Sequence, residues 1–495
     1  MRGVNKMYNT LVSIIMEHGI TLPSHIALVT NEKKITYGEL RKYILKTAKR
    51  LSECGIKPGN RVILSADSSP SFVFGYLAAH ILGAVAVPVE PEISEKNLAM
   101  IVEETKAKHM FLAKEKNIND AISISINEFM NDMEIGDFKL QYSPNINDES
   151  DILFTTGTTS HSKGVVLTHK KILAAAVNIN QFTHNLPDNR EIVPLPLSHS
   201  FGLGRLRCNL LIGATVIMCD TVANVKRIFD GMRIWKATSF VSVPAGFALL
   251  LKLSGDRIGE FADQLRFIEI GSAPMDMKMK HKLMELLPNT RICMHYGLTE
   301  ASRSCFIEFH ADKDKLASVG KAAPNVKVKI MDENRQELPN GSEGSIFISG
   351  EHVMKEYLNI PDLTEKVLKD GWLDTGDFAS IDEDGYIYLK GRKKEVINIG
   401  GRKVCPDEIE GFLNHIDFIV DSACVGVPDP LGISGEAIKA FIVLDNNNEK
   451  AFSKTEVISN LRDKVEPYKI PTLYETIEKI PRTASGKMQR QLLKF

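Results

Sequence analysis

Residues 155–164 read Thr-Thr-Gly-Thr-Thr-Ser-His-Ser-Lys-Gly, which places six hydroxyls, two glycines and Lys163 directly after the apolar run Ile152, Leu153, Phe154. Such a loop suits a polyphosphate. Glycines let successive N–H groups turn inward, hydroxyls donate to phosphate oxygens, and the ammonium sits where anionic charge gathers. A flexible Ser/Thr turn fits the same residues, and neither the spacing nor the context is that of a Walker A loop, which joins a strand to a helix. Four more segments are polar in ways a core does not require. Tyr296-Gly-Leu-Thr-Glu300 sets a hydroxyl beside a carboxylate, with Glu300 suited to Mg²⁺ and Thr299 to a phosphate oxygen. The alternative there is an ordinary Thr-Glu helix start. Trp372-Leu-Asp-Thr-Gly-Asp377 ends in a carboxylate that can accept from paired ribose hydroxyls. Gly271-Ser-Ala-Pro is a small-residue strand exit on which a flat ring could lie, or a plain turn, and Pro481-Arg-Thr-Ala-Ser-Gly-Lys487 puts a lysine behind a flexible glycine.

The elements that must hold these residues alternate. Tyr37 to Cys54 carries apolar side chains at helical spacing (Leu40, Tyr43, Ile44, Ala48, Leu51) and leads through Gly55-Ile-Lys-Pro-Gly59 into the strand-like Arg61-Val-Ile-Leu-Ser. Phe72 to Leu82 reads as a helix stopped by Gly83, and Ala84-Val-Ala-Val-Pro-Val as a buried strand. The phosphate-type loop runs into Val165, Val166, Leu167 and then a helix from His169. Similar strands recur at Ala214-Thr-Val-Ile-Met, Ser239-Phe-Val-Ser-Val, Phe267-Ile-Glu-Ile and Arg291-Ile-Cys-Met, with a helix near Val225 to Trp235. This predicts an α/β fold with mostly parallel sheets, whose ligands sit at the C-terminal strand ends. After Ser318 short strands separated by turns predict a small β-rich subdomain, and beyond Gly391-Arg-Lys-Lys-Glu strands and helices mix again. No internal repeat or low-complexity tract occurs.

With 495 residues the chain is too long for one ordinary core and predicts two or more domains. A net charge of −1 gives no reason to expect nucleic acid or an anionic membrane surface, which leaves small-molecule chemistry as the default class. Seven scattered cysteines without a C-x-x-C pair argue against a disulfide framework or zinc site and fit a reducing, cytoplasmic setting. Leu11 to Met16 is too short for a signal-peptide core and reads as part of an amphipathic first helix. No apolar run is long enough to span a membrane.

Taken in order, the loop at 155–164, Gly271-Ser-Ala-Pro, Tyr296-Gly-Leu-Thr-Glu, Trp372-Leu-Asp-Thr-Gly-Asp, Gly391-Arg with Gly400-Gly401, Pro406-Asp-Glu-Ile-Glu410 and Pro481-Arg-Thr-Ala-Ser-Gly-Lys resemble the adenylate-forming (ANL) superfamily. Acyl-CoA synthetases, luciferases and peptide-synthetase adenylation domains belong to it. The resemblance runs from Ile35-Thr-Tyr-Gly-Glu-Leu to the final lysine motif, and includes Gly83-Ala-Val-Ala-Val-Pro, Val425-Gly-Val-Pro-Asp and Tyr468-Lys-Ile-Pro. It implies a large N-terminal domain, residues 1–391, of two α/β subdomains plus a small β-barrel-like one. A small mobile α+β domain follows, residues 392–495. It also implies two half-reactions: a carboxylate and ATP give acyl-AMP and pyrophosphate, and a thiol then takes the acyl group.

Carried over by position, the resemblance assigns Thr155, Thr156, Gly157, Thr158, Thr159, Ser160 and Lys163 to the β- and γ-phosphates, Thr299 to the α-phosphate and Glu300 to Mg²⁺. Asp377 and Arg392 become ribose contacts, Gly271, Ser272 and Ala273 with Tyr296 the adenine slot, and Lys487 the lysine that bridges the carboxylate and α-phosphate. Lys394 matches the hinge, and Gly400 and Gly401 the thiol tunnel; a basic linker is the alternative for Lys394. Pro194-Leu-Pro-Leu-Ser-His-Ser-Phe-Gly-Leu203 resembles the segment of acyl- and aryl-CoA synthetases that puts a histidine, here His199, near the acyl carboxylate. A core histidine is the alternative. Amino-acid adenylation domains carry Phe-Asp there, so an α-amino acid is disfavoured. Arg205 and Arg207 begin the helix that borders the acyl pocket: turned inward they imply a polar or doubly anionic acid, and otherwise they are solvated. Ala245 and Gly246 would leave room in that pocket, and Arg303 adds polarity beyond Glu300. Within the phosphate loop Thr156, Ser160 and Ser162 replace the superfamily's Ser, Gly and Pro, which removes a kink before Lys163. The implied co-substrates are ATP and CoA, or a carrier-protein phosphopantetheine in place of CoA.

Overall fold

The computed structural model describes residues 10–30, 33–118, 121–130, 138–155, 162–392, 395–399, 402–430, 435–445, 452–462, 464–482 and 488–493. Packing divides the chain into two units, Met1–Val328 with Ile348–Leu373, and Lys329–Phe347 with Asp374–Phe495. Residues 329–347 and 374–391, which the expected boundary leaves in the N-terminal domain, group with the C-terminal segment.

The first unit is α/β, as the alternating pattern predicts, and rests on two sheets. One has nine strands in the order Lys321–Ala322, Cys305–Glu308, Arg291–Tyr296, Phe267–Ile270, Ser239–Ser242, Arg190–Val193, Thr215–Met218, Ile26–Val29, Lys34–Thr36. Its interior pairings, from Arg291–Tyr296 across to Ile26–Val29, are all parallel, and antiparallel strands close both edges. The other has seven strands in the order Glu356–Tyr357, Gly164–Thr168, Glu149–Phe154, Val85–Val89, Arg61–Ser65, His109–Leu112, Ile122–Ser125. Strands such as Val85–Val89 are buried at every position, because a parallel sheet is covered on both faces and so reads as a continuous apolar run.

Local signals set the helices between them. Thr36 and Glu39 form a reciprocal capping box that starts Tyr37–Glu53, and Ser69 with Pro70 at the first helical position starts Pro70–Ile81. Gly83, at φ +73°, takes the left-handed turn that returns the chain into Val85–Val89. The β-rich stretch expected after Ser318 is a five-stranded sheet that includes Lys327–Met331, Glu343–Ser349, Trp372–Ile381 and Ile387–Arg392. Nearer the C-terminus, Ile419–Pro428, Glu436–Leu444 and Leu473–Thr476 form a mixed sheet. Helices Pro406–Leu413 and Lys454–Arg462 bury Ile409, Leu413, Val457 and Leu461 with Ile438 and Ile442 of that sheet in one core. No helix among the described residues is long and apolar enough to cross a membrane.

Candidate functional site

The phosphate-type loop joins two antiparallel strands, with Phe154 opposite Gly164. It is therefore a hairpin tip, which is why the Walker spacing does not apply. Its base is tied twice, by the Thr155 N–H donating to the Lys163 carbonyl at 3.0 Å and by the Ser162 hydroxyl donating to the Thr155 carbonyl. Ser162 thus supplies a tether where the expectation was only a lost kink. Thr156, Gly157, Thr158, Thr159 and Ser160 lie outside the described residues.

Strand Glu356–Tyr357 pairs with Gly164–Thr168, and the Met354 N–H donates to the Glu300 carbonyl at 2.8 Å, so one short segment aligns the loop's base with Glu300. Tyr357 joins the two chemically: its hydroxyl donates to Glu300 Oε1 at 2.7 Å, and Lys163 Nζ lies 5.2 Å from its ring centroid. Thr299 and Glu300 sit half-buried at a turn in which Leu298 and Ala301 exchange backbone hydrogen bonds. Nothing in Lys355-Glu-Tyr-Leu-Asn marked Tyr357 as functional, because its role comes from pairing with a distant strand.

Gly271 and Tyr296 leave the C-terminal ends of neighbouring parallel strands, Phe267–Ile270 and Arg291–Tyr296. A Cβ on Gly271 would fall 2.0 Å from the His295 ring, so the glycine lets the backbone lie against that imidazole. Ser272 follows at φ +73°, a left-handed conformation for a residue with a side chain and a sign of backbone held under constraint. Ala273 is half-buried beside it.

Beneath this edge lies a buried ionic network, and it corrects the reading of the arginines. Neither Arg205 nor Arg207 is solvated. Arg205, fully buried, spends its guanidinium on Glu191 (Nε to Oε1, 2.7 Å; NH2 to Oε2, 2.5 Å) and on Glu269 (NH1 to Oε2, 2.8 Å). Its charge is neutralised before any substrate arrives. Burial alone would raise the Glu269 carboxyl, yet Arg205, Arg303 and His295 hold it well below the ordinary range. Arg207 binds Asp151 at 2.8 Å and the Tyr76 hydroxyl at 2.9 Å. Arg303 bonds Glu269 and also donates to the Ser200 and Phe201 carbonyls at 2.7 and 2.8 Å, which fastens its loop to helix Ser200–Leu211. A cavity beside that helix has Arg207, Thr299 and Arg303 on its wall, with Lys171 and His352. At Gly246 a Cβ would meet Ser242 Oγ at 2.1 Å, the end of a side chain that can rotate away; Ala245 next to it is exposed.

His199 is the N-cap of helix Ser200–Leu211, but its side chain makes no capping bond. Instead Nε2 lies 2.8 Å from Glu90 Oε1. In the second unit, Asp377 and Arg392 stand directly opposite each other on antiparallel strands, and Arg392 Nε is 2.9 Å from Asp377 Oδ1. Their pairing follows from register alone. Lys394, Gly400, Gly401 and Lys487 lie outside the described residues.

Two family models match the chain: AMP-binding enzyme over residues 17–358, and AMP-binding enzyme C-terminal domain over residues 408–487. The chain belongs to the AMP-binding enzyme family. It is thereby a member of the adenylate-forming superfamily that the motifs resemble. Similar proteins include a long-chain-fatty-acid–CoA ligase of Bacillus subtilis, 28% identical over 98% of this chain and 94% of the relative. A 4-coumarate–CoA ligase-like protein of Arabidopsis thaliana is 29% identical over 89% of this chain and 82% of its own. The crystal structure of ATP-bound MatB from Rhodopseudomonas palustris superposes with a TM-score of 0.87 at 26% identity, covering 99% of this chain and 98% of that one.

For an AMP-binding enzyme the geometry around Glu300 is informative about a metal. No cluster of three or more His, Cys, Asp or Glu among the described residues could hold an ion unaided. A lone carboxylate next to a phosphate-type loop suits Mg²⁺, which takes one or two carboxylates and completes its octahedron with water and phosphate oxygens. One Glu300 oxygen accepts from Tyr357, and the other has no partner among the described residues. The residues present therefore fit a magnesium ion that arrives with a nucleotide.

Proposed function

We propose that this AMP-binding enzyme is an ATP-dependent carboxylic acid ligase that forms an acyl-adenylate with release of pyrophosphate and then passes the acyl group to the thiol of CoA. The observation that carries this reading is the chain of contacts from Lys163 through Tyr357 to Glu300, adjacent to Thr299. It would set one cation, a cluster of donors and one metal-binding carboxylate around a triphosphate. A carboxylate attacking phosphorus must overcome repulsion between anions, and bound Mg²⁺ would neutralise phosphate charge as the pyrophosphate departs. Lys163 and the loop donors would hold the β- and γ-phosphates, Thr299 the α-phosphate, Asp377 and Arg392 the ribose, and Gly271 to Ala273 with Tyr296 the adenine. Lys487 would bridge the reacting carboxylate and α-phosphate, acting through position as well as charge.

In the second half-reaction Lys487 would obstruct an incoming thiol, so residues after Lys394 would swing as a domain and bring Gly400 and Gly401 to the reaction centre. The superfamily's motifs support that reading, and a cytoplasmic setting accompanies it. A carrier-protein phosphopantetheine ends in the same thiol arm as CoA. The test incubates the enzyme with ATP, Mg²⁺ and a panel of acids, and follows pyrophosphate and thioester with CoA or with a carrier protein. Acid-dependent pyrophosphate and a CoA thioester are expected. No acid-dependent pyrophosphate under any condition overturns the ligase reading, and thioester only with a carrier protein reassigns the acceptor.

A further inference from the structure

Glu90 follows the fully buried strand Val85–Val89 of the seven-stranded sheet, whereas Ser198 and His199 follow Arg190–Val193 of the nine-stranded sheet. The two C-terminal sheet edges meet here through one oxygen: Glu90 Oε1 accepts from Ser198 Oγ at 2.8 Å and lies 2.8 Å from His199 Nε2. The His199 ring is committed to this contact. At an N-cap a polar side chain usually accepts from the first-turn N–H groups, and His199 makes no such bond. Both side chains keep 39% and 45% of their exposure, so the imidazole remains open to a ligand.

The hydrogen bond fixes which nitrogen is left. Nε2 must carry hydrogen to bond a carboxylate, so Nδ1 is the free position, and it has no partner among the described residues. With Nε2 held by the Glu90 carboxylate, the ring presents its Nδ1 edge to a ligand. The interaction is visible on the partner too: the His199 hydrogen bond, against partial burial, holds the Glu90 carboxyl below its ordinary value.

We propose that Glu90 is a positioning residue for the first half-reaction: it anchors His199 by Nε2 and so fixes the orientation in which the ring, by its Nδ1 edge, meets the carboxylate end of the incoming acid. The proposal rests on the ligase reading. Glu90 acts on the acid and not on ATP, which separates it from a residue that merely holds the two sheets together.

Steady-state pyrophosphate release tests it in the unmodified enzyme, Glu90→Gln, Glu90→Asp, His199→Ala and the Glu90→Gln/His199→Ala double variant. Glu90→Gln is expected to raise the KM for the acid about tenfold, the scale of one charge-assisted hydrogen bond, with a smaller change in kcat and none in the KM for ATP. Glu90→Asp should recover part of the loss, and the double variant should be no worse than His199→Ala alone. An acid KM unmoved by Glu90→Gln, equal rises in both KM values, or independent effects in the double variant overturn the proposal while the ligase reading stands. If the unmodified enzyme releases no pyrophosphate with any acid, both fall.

Discussion

Lys487 and Glu269 carry charges with opposite prospects. Lys487 is expected to act only when substrates are bound: Lys487→Ala should slow adenylation by about 10²-fold or more, the scale of a lost preorganised charge, and spare thioester formation from supplied acyl-AMP. Equal loss in both half-reactions, measured by single turnover, would count against domain rotation. Glu269 already works in the folded protein, where its carboxylate binds Arg205 and Arg303. Glu269→Gln should cost about 3–5 kcal/mol in chemical denaturation, because it leaves buried guanidinium charge uncompensated. The motif residues were assigned from the sequence alone, since nucleotide chemistry needs particular groups in a particular order. The fate of Arg205 was not. Its partners Glu191 and Glu269 stand 14 and 64 positions away, and only the parallel packing of their strands brings them to one guanidinium.

At the scale of elements, Gly271 marks where the exits of neighbouring strands approach too closely for a side chain. Gly271→Ala forces a Cβ onto the His295 ring, whereas Gly246→Ala meets only Ser242 Oγ, the end of a side chain that can rotate away. Overpacking against that buried ring costs about 1–3 kcal/mol, and thermal unfolding should show it in Gly271→Ala but not in Gly246→Ala. Only Gly271→Ala should also raise the KM for ATP, because it displaces the strand exit assigned to adenine. The strands themselves were readable from their apolar runs, and Pro70–Ile81 and Tyr37–Glu53 from their spacing. Glu356–Tyr357 was not, because a strand of two residues has no periodicity to show and exists only through its ladder with Gly164–Thr168.

Across the whole molecule, buried histidines should make stability fall in mild acid. Burial holds His352 down to about 4, and His169, also affected by His80, down to about 3. Unfolded, each takes a proton near its ordinary value of 6.5, so between there and the lowered values the unfolded state binds more protons and loses less by acidification. Denaturation midpoints should therefore drop as pH falls below about 6.5. His352→Asn, which can keep a bond to the Ser304 hydroxyl, should flatten that slope. A profile identical to the parent's would show that His352 is not buried in its neutral form. By itself the sequence determined the α/β class, the order of the nucleotide-handling motifs and the family, because hydrophobic period and motif spacing are local properties that survive without coordinates. The tertiary structure decided which charges are available to a ligand: it gave Arg205 to Glu191 and Glu269, Tyr357 to Glu300, and His199 to Glu90. A side chain's partner depends on sheet order and register, and these bring together residues whose separation along the chain carries no sign of the contact.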